Sequence, residues 1–404
     1  MLFKLAWRNI WRNKRRSLVV LGSVIIGIIA VLFMNGFMNG MLNQMLSNQI
    51  STNISHIQIH KKGFNDNKVI QNHIPDADAV EKKLSDNPDI KAFSKRVITF
   101  GLISSATNSS GVYINGIIPD KEKEVSIIFR QIVEGHYFTG DKREIVIGGK
   151  LADKLEVGLG DKVVIMSNTP DGTIGSEVFR VAGIYKSFSS EFDKSFIYIP
   201  LETAQSMLNI NNRIFEFAVV ANDYKKIELV KSSIKSGLND NYEVMSYKDL
   251  LPFLVYQIDL SKESMWIFNL IIELALIFGI INSMLMAVFE RINEIGVLMS
   301  IGMKNIKIFF MILLEGLVIG IIGTVVGLIS GFLIMLPLES SGINFAIYTE
   351  SLESYGIGAV IYPTLSMDDV LGVLIMIPLI SIIGAVYPAY KAIKLEPVNA
   401  IRYV

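Results

Sequence analysis

His56 and His60 fall on the same face of the alternating segment ISHIQIH, the nearest this sequence comes to a pair of metal ligands. A zinc site needs three or four ligands, and no third stands at a recognisable spacing. These two histidines, with His73 and His136, are therefore read as structural. The segment IGGKLADK has part of a phosphate loop. That motif requires Gly, four residues, then Gly-Lys-Ser/Thr, so that backbone N–H groups surround the phosphates and a hydroxyl holds the metal. Its first glycine is missing and Leu151 replaces the hydroxyl, which excludes nucleotide binding by that route. The absence of cysteine excludes disulfides, thiolate metal sites and a cysteine nucleophile. No catalytic, cofactor-binding or metal-binding residue is assigned, and the chain is expected to be non-catalytic.

Two acids, Glu273 and Glu315, stand inside long apolar runs, where a carboxylate is costly and faces a bundle interior. They could belong to a proton relay. Two acids with no basic partner make a poor one, so interhelical hydrogen bonding is expected, with Asn269 or Asn282 as candidate partners.

The runs that hold these acids define the class of protein. Of 404 residues 51 % are hydrophobic, and mean hydropathy is +0.43. Four segments have the roughly 20 apolar residues of a membrane span: one starting at Ser17, Met265–Phe289, Ile308–Leu338 and Val370–Tyr390. Charge balances at 38 basic and 38 acidic residues, which gives no argument for nucleic acid. Basic residues gather on the cytoplasmic side of spans. Residues 1–16 carry six and no acid, while the connection from Glu339 to Asp369 carries five acids and no Lys or Arg. Both termini are thus expected in the cytoplasm, with the region from about 41 to 264 outside.

The fold class expected is an α-helical membrane protein with four transmembrane helices and a mixed α/β extracytoplasmic domain inserted between helices 1 and 2. Along the chain, the layout is an interfacial amphipathic helix at 1–16 and a first span with stalk at 17–50. An α/β domain follows at 51–245, interrupted by a β-rich insertion at about 129–205. A second stalk and span take 246–289, a cytoplasmic segment 290–307, and a third span 308–338. An extracytoplasmic loop at 339–369, a fourth span at 370–390 and a tail at 391–404 complete it. The helical period outlasts the first apolar run through Met34, Phe37, Met38, Met41, Leu42 and Met45, and Leu254, Ile258 and Met265 make a matching stripe on the return. These stripes are expected to form paired stalks with exposed methionines. In the third span Gly316, Gly320, Gly323, Gly327 and Gly331 keep a spacing at which another helix can approach closely, in the same chain or in a second copy.

ERINEIGVLMSIGMKN, residues 290–305, joins two spans where a turn would suffice. Ile292, Ile295, Met299, Met303 and Ile306 make one apolar side; Glu290, Arg291 and Glu294 open the segment, and Gly302 is suited to end it. A rigid cytoplasmic helix so placed suits a groove in a partner.

The stretch ERINEIGVLMSIGMKNIKIFFMILLEGLVIGIIGTVVGLISG resembles the signature of FtsX-like ABC transporter permeases, and the tail YPAYKAIKLEPVNAIRYV resembles that family's close. LAWRNIWRNKRRS, SHIQIHKKGF and VAGIYKSFSSEFDKSFIYIPLETAQSML are more similar to its lipoprotein-releasing (Lol-type) members than to the MacB efflux type. The resemblance implies a mechanotransmitting permease of the bacterial inner membrane. Two permease subunits, alike or different, would pair with a cytoplasmic ABC ATPase dimer that holds ATP and Mg; this chain would need no cofactor. Glu290, Arg291, Glu294, Ile295, Gly296, Leu298 and Gly302 would belong to the coupling helix. A lipoprotein would be extracted near the stalk residues and passed to a periplasmic carrier, with the hairpin near 99–113 as the place of carrier contact. Efflux of peptides or small molecules, and signalling to cell-wall hydrolases, are the alternatives within the family.

Overall fold

A computed structural model of the chain describes residues 2–12 and 14–394. The chain divides into two compact units. One comprises the chain up to Asn43, Gln257–Asn344 and the chain from Val360; the other comprises Gln44–Tyr256 with Phe345–Ala359.

Six helices build the first unit: α1 (Leu2–Arg12), α2 (Lys14–Gln49), α3 (Pro252–Glu290), α4 (Ile292–Ser300), α5 (Asn305–Ser341) and α6 (Met367–Ile393). Helices α2, α3, α5 and α6 are long and apolar enough to cross a membrane. α1 is amphipathic, with Ala6 and Ile10 buried while Trp7 and Trp11 face outward, as tryptophans do at the headgroup level. A short antiparallel pair, β11 (Ile343–Asn344) with β12 (Val360–Ile361), closes the connection between α5 and α6. The closing motif's Pro397, Ala400 and Ile401 lie outside the described residues.

The glycines of α5 serve two different neighbours. Gly316 and Gly320 meet α6, where an added Cβ would come within 2.6 Å of Ala385 and 2.5 Å of Ser381. Gly323, Gly327 and Gly331 meet Val24, Ile28 and Leu32 of α2, residue against residue at the same four-residue spacing. A Cβ at these three positions would approach to 2.5–2.7 Å. Of the two arrangements open from the sequence, these close contacts are therefore made within the chain. Apolar side chains gain little from burial against one another in lipid, so backbone proximity and dense packing hold such helices together.

The second unit is one ten-stranded sheet: β1 (Ile57–Lys61), β2 (Ile90–Ser104), β3 (Ser109–Ile117), β4 (Ile132–Gly135), β5 (Glu144–Gly148), β6 (Lys162–Asn168), β7 (Ile174–Tyr185), β8 (Phe196–Pro200), β9 (Glu216–Ala221) and β10 (Tyr242–Ser246). The order is β10-β1-β9-β2-β3-β8-β5-β7-β4, with β6 paired to both β2 and β7. The strand-rich insertion therefore continues the parent sheet. Helices Ala77–Ser85 and Ile227–Gly237 cover the β1-β9-β10 side with Val80, Leu84, Val230 and Ile234.

β2 belongs to both halves, and Arg96 stands where its partner changes, opposite Glu216 of β9 and Ile117 of β3. The Arg96 guanidinium is buried between Glu122 (Nη2–Oε1 2.6 Å) and Glu216 (Nη1–Oε1 2.8 Å), and it also donates to the Asn53 carbonyl. His56 and His60 have protein partners. His56 lies just before β1 rather than in it, and its Nδ1 accepts from the Ala221 N–H. His60 is buried against Phe64, with Nδ1 at 3.1 Å from the Phe215 carbonyl.

Two outcomes follow from this packing. Gly316→Leu should lower the thermal unfolding midpoint in detergent, overpacking of this kind costing about 1–3 kcal/mol. Gly279→Ala and Gly372→Ala, where a Cβ meets nothing, should leave it unchanged or raise it. Burial holds His60 down to about 4 against its ordinary 6.5, opposed by its hydrogen bond at Phe215. The unfolded chain takes up this proton first, so the contribution is complete above pH 6.5 and is lost as pH falls toward 4. Roughly 3 kcal/mol of stability should go over that window, and His60→Phe should flatten the pH dependence of the unfolding midpoint.

Candidate functional site

The connection between α3 and α5 is helix α4, nine residues long. Its C-terminus is a Schellman motif: Gly302, at φ +93°, lets its own N–H reach the Met299 carbonyl and the Met303 N–H reach that of Leu298. Gly302 thus ends the helix as expected. Ile306 does not belong to it, because α5 has already begun at Asn305.

The apolar side of the segment is used within the chain. Ile292, Ile295 and Gly296 are buried, and Met299 and Met303 pack against the bundle core. Of the residues expected in the coupling helix, Ile295 and Gly296 are thus buried within the chain. What α4 presents outward is a strip through Asn293, Val297 (46 % exposed) and Ile301 (78 % exposed), with Leu298 half-buried beside it and Glu290 exposed at the preceding helix end. Between this strip and α1 lies an open groove of about 870 Å³, lined by Trp7, Trp11, Asn293, Val297 and Leu298 among others.

The floor of the groove is a polar lock. Glu315 of α5 is buried, and it accepts from Asn9 Nδ2 of α1 at 2.6 Å and from Arg291 Nη1 at 3.1 Å. Arg291 Nε also reaches Glu294 at 3.3 Å, and Glu294 pairs with Arg12. Partial burial of Glu294 favours its neutral form, but the hydrogen bonds and charges of Arg12 and Arg291 outweigh it and hold the carboxyl below the usual range. The expected partners of Glu315, Asn269 and Asn282, are replaced by Asn9 and Arg291. The acid is the C-terminal end of the ER-x-x-E signature's own network, 21 residues on from Glu294. Long-range pairing of this kind leaves no periodicity for sequence reasoning to find. Glu273 takes no hydrogen-bond partner among the described residues.

The stalk stripe is less open than its pattern implied. Leu42, Leu254, Ile258 and Met265 are buried, and Met34, Phe37, Met38, Met41 and Met45 are half-buried. The hairpin near 99–113 ends in a tight turn in which the Ser105 N–H reaches the Asn108 carbonyl, and Phe100, Leu102 and Tyr113 stand exposed on its strands.

The family model described as the MacB-like periplasmic core domain matches residues 17–236, and that of the FtsX-like permease C-terminal region matches 266–397. This chain is an FtsX-like ABC transporter permease. Among curated proteins, the permease is similar to the lipoprotein-releasing system transmembrane protein LolC of Xylella fastidiosa, 26 % identical over 304 residues and 72 % of each chain. It is also similar to LolE of Haemophilus influenzae, 24 % identical over 332 residues and 80 % of each chain. A solved structure of the periplasmic region of MacB from Actinobacillus actinomycetemcomitans aligns at 17 % identity, covering 52 % of the permease and 97 % of that chain with a TM-score of 0.35.

Removing Arg291 would leave the permease with a buried, uncompensated carboxylate. Arg291→Met should cost about 3–5 kcal/mol, seen as a lowered thermal midpoint in detergent. Adding Glu315→Gln should recover much of the loss, whereas additive losses would show that the two side chains are not coupled.

Proposed function

We propose that this permease extracts lipoproteins from the membrane in which its four spans sit, driven by a separate ATPase pair that grips α4 from the cytoplasm. The observation that carries the docking is the two-sidedness of α4. One face is fixed to α1 and α5 through Arg12, Arg291 and Glu315, and the other offers Asn293, Val297 and Ile301 beside a groove. A helix held so firmly would transfer a push or rotation to α3 and α5 instead of absorbing it. ATP and Mg would be bound by the partner, and a second permease subunit, identical or homologous, would complete the assembly. The basic residues of the N-terminal segment support cytoplasmic termini, with the inserted domain on the opposite side.

Lipoprotein is the favoured cargo because the LolC and LolE relatives, matched over 72 % and 80 % of the chain, are named as lipoprotein-releasing proteins. Half-buried Met34, Met38, Met41 and Met45 give a soft apolar stripe of the sort that suits acyl chains. Work would be delivered at the inserted domain, with no passage of cargo across the bilayer, and a periplasmic carrier would receive it at the 99–113 hairpin.

Ile301→Asp and Val297→Asp place a charge on the docking strip without touching the lock. Each should weaken co-purification of the ATPase at least tenfold while membrane insertion stays normal; unchanged assembly and substrate-stimulated ATP hydrolysis would sink the assignment. Gly296 is unsuitable for this test, since it is buried and a bulky residue there would disturb packing first. A photocrosslinker at Met41 should capture acylated protein, and capture of small solutes alone would favour efflux.

A further inference from the structure

A second cavity in the membrane unit, of about 520 Å³, lies among α2, α3 and the start of α6. Its lining marks a boundary. Asn35 follows the end of the first apolar run, Met265 begins the second and Asp369 precedes the fourth. Trp266 at its rim is 68 % exposed, and tryptophan is enriched where a bilayer meets water.

The cavity collects polar groups that the fold leaves unpaired. Asn35 is only 6 % exposed; its Nδ2 donates to Asp369 at 3.0 Å, and its Oδ1 has no partner among the described residues. Asn269 Oδ1 and Thr364 Oγ1 line the same cavity and are likewise shut from solvent and unpartnered. Buried polar atoms of this kind call for a partner, and the two amide oxygens for a donor, because they have given up water without receiving a replacement. Asp369 is already committed to Ser366, Asn35 and Asn39. Lys262 and Asp368 also line the cavity, and among the described residues Lys262 has no ion-pair partner and the Asp368 carboxylate no hydrogen bond.

We propose that this cavity binds the headgroup of an ethanolamine-type phospholipid. The primary ammonium supplies N–H donors to Asn35 Oδ1 and Asn269 Oδ1 and a positive charge to Asp368, while the phosphate meets Lys262. A choline headgroup carries the same charges but has no N–H to donate. A glycerol headgroup has hydroxyls but no cation for Asp368. Met38 and Met265 give the acyl chains an apolar wall at the same level. A lipid seated here would bridge three spans. The proposal stands on the membrane placement of the spans and is independent of what α4 docks against.

The test uses the full-length permease without ATPase or cargo, so failure of the coupling proposal leaves it intact. Purified protein is mixed with phosphatidylethanolamine, phosphatidylcholine or phosphatidylglycerol of matched chains, and retention is measured by native mass spectrometry. Phosphatidylethanolamine should be retained at least tenfold over the other two. Lys262→Gln and Asn269→Leu, which break no ion pair or side-chain hydrogen bond among the described residues, should reduce it to the phosphatidylcholine level with circular dichroism unchanged. Equal retention of ethanolamine and choline lipids, equal retention of the glycerol lipid, or variants that bind as well as the parent would each overturn the assignment. Displacement by equimolar glycerophosphoethanolamine would overturn the lipid as ligand in favour of a soluble phosphoester.

Discussion

The membrane unit depends on how closely α2 and α6 can approach α5. In water, burying apolar surface would draw the helices together; in lipid that driving force is nearly absent, and close packing must take its place. α5 supplies it with two glycine sets, one facing Ser381 and Ala385 and the other receiving Val24, Ile28 and Leu32. Because the sets succeed one another along a single helix, α6 and α2 are held at different heights of it. α1 also packs on α5, through Asn9 and Glu315. α3 packs instead on α2 and α6, with Leu276 over Gly27 and Ile280 over Gly384.

Its end near α4 is closed by charge rather than by glycine. A carboxylate at Glu315 is tolerated because Arg291 and Asn9 satisfy it, and Arg291 can do so because α4 starts immediately after it. The connection between two spans is thus a braced piece of structure. Force applied to the outward strip of α4 would reach α1 by way of Arg12 and α5 by way of Arg291. That property is what a coupling element needs, and a flexible turn would lack it.

The inserted domain solves a similar problem with β2, a strand of fifteen residues shared by both halves of the sheet. The buried guanidinium of Arg96 sits at the changeover with two carboxylates around it, so a shift of register would strand charge in the core. The connection between α5 and α6 belongs partly to this unit, where Glu353 is held by Lys186 at 3.1 Å and by the Ser190 hydroxyl. The acids that marked this connection in the sequence thus include two with specific partners, Glu353 and Asp369.

The strands were legible because EIVIGG, DKVVIM, FRVAGIY and FIYIPL alternate or run apolar between glycine and aspartate turns, and the spans because nothing else needs so many apolar residues in a row. Gly302 could be assigned for a local reason: a backbone at positive φ ends a helix whatever surrounds it. The sequence by itself therefore determined the class, the element types, the inserted domain and the length of α4's segment. Tertiary structure decided which face of that segment is exposed, which carboxylate takes which partner, and whether the glycines serve this chain or another. Each of those depends on groups beyond the reach of one helix's period, 24 positions apart for Arg291 with Glu315 and 306 for Asn9 with Glu315, and a period along one helix shows that a face exists without showing what covers it.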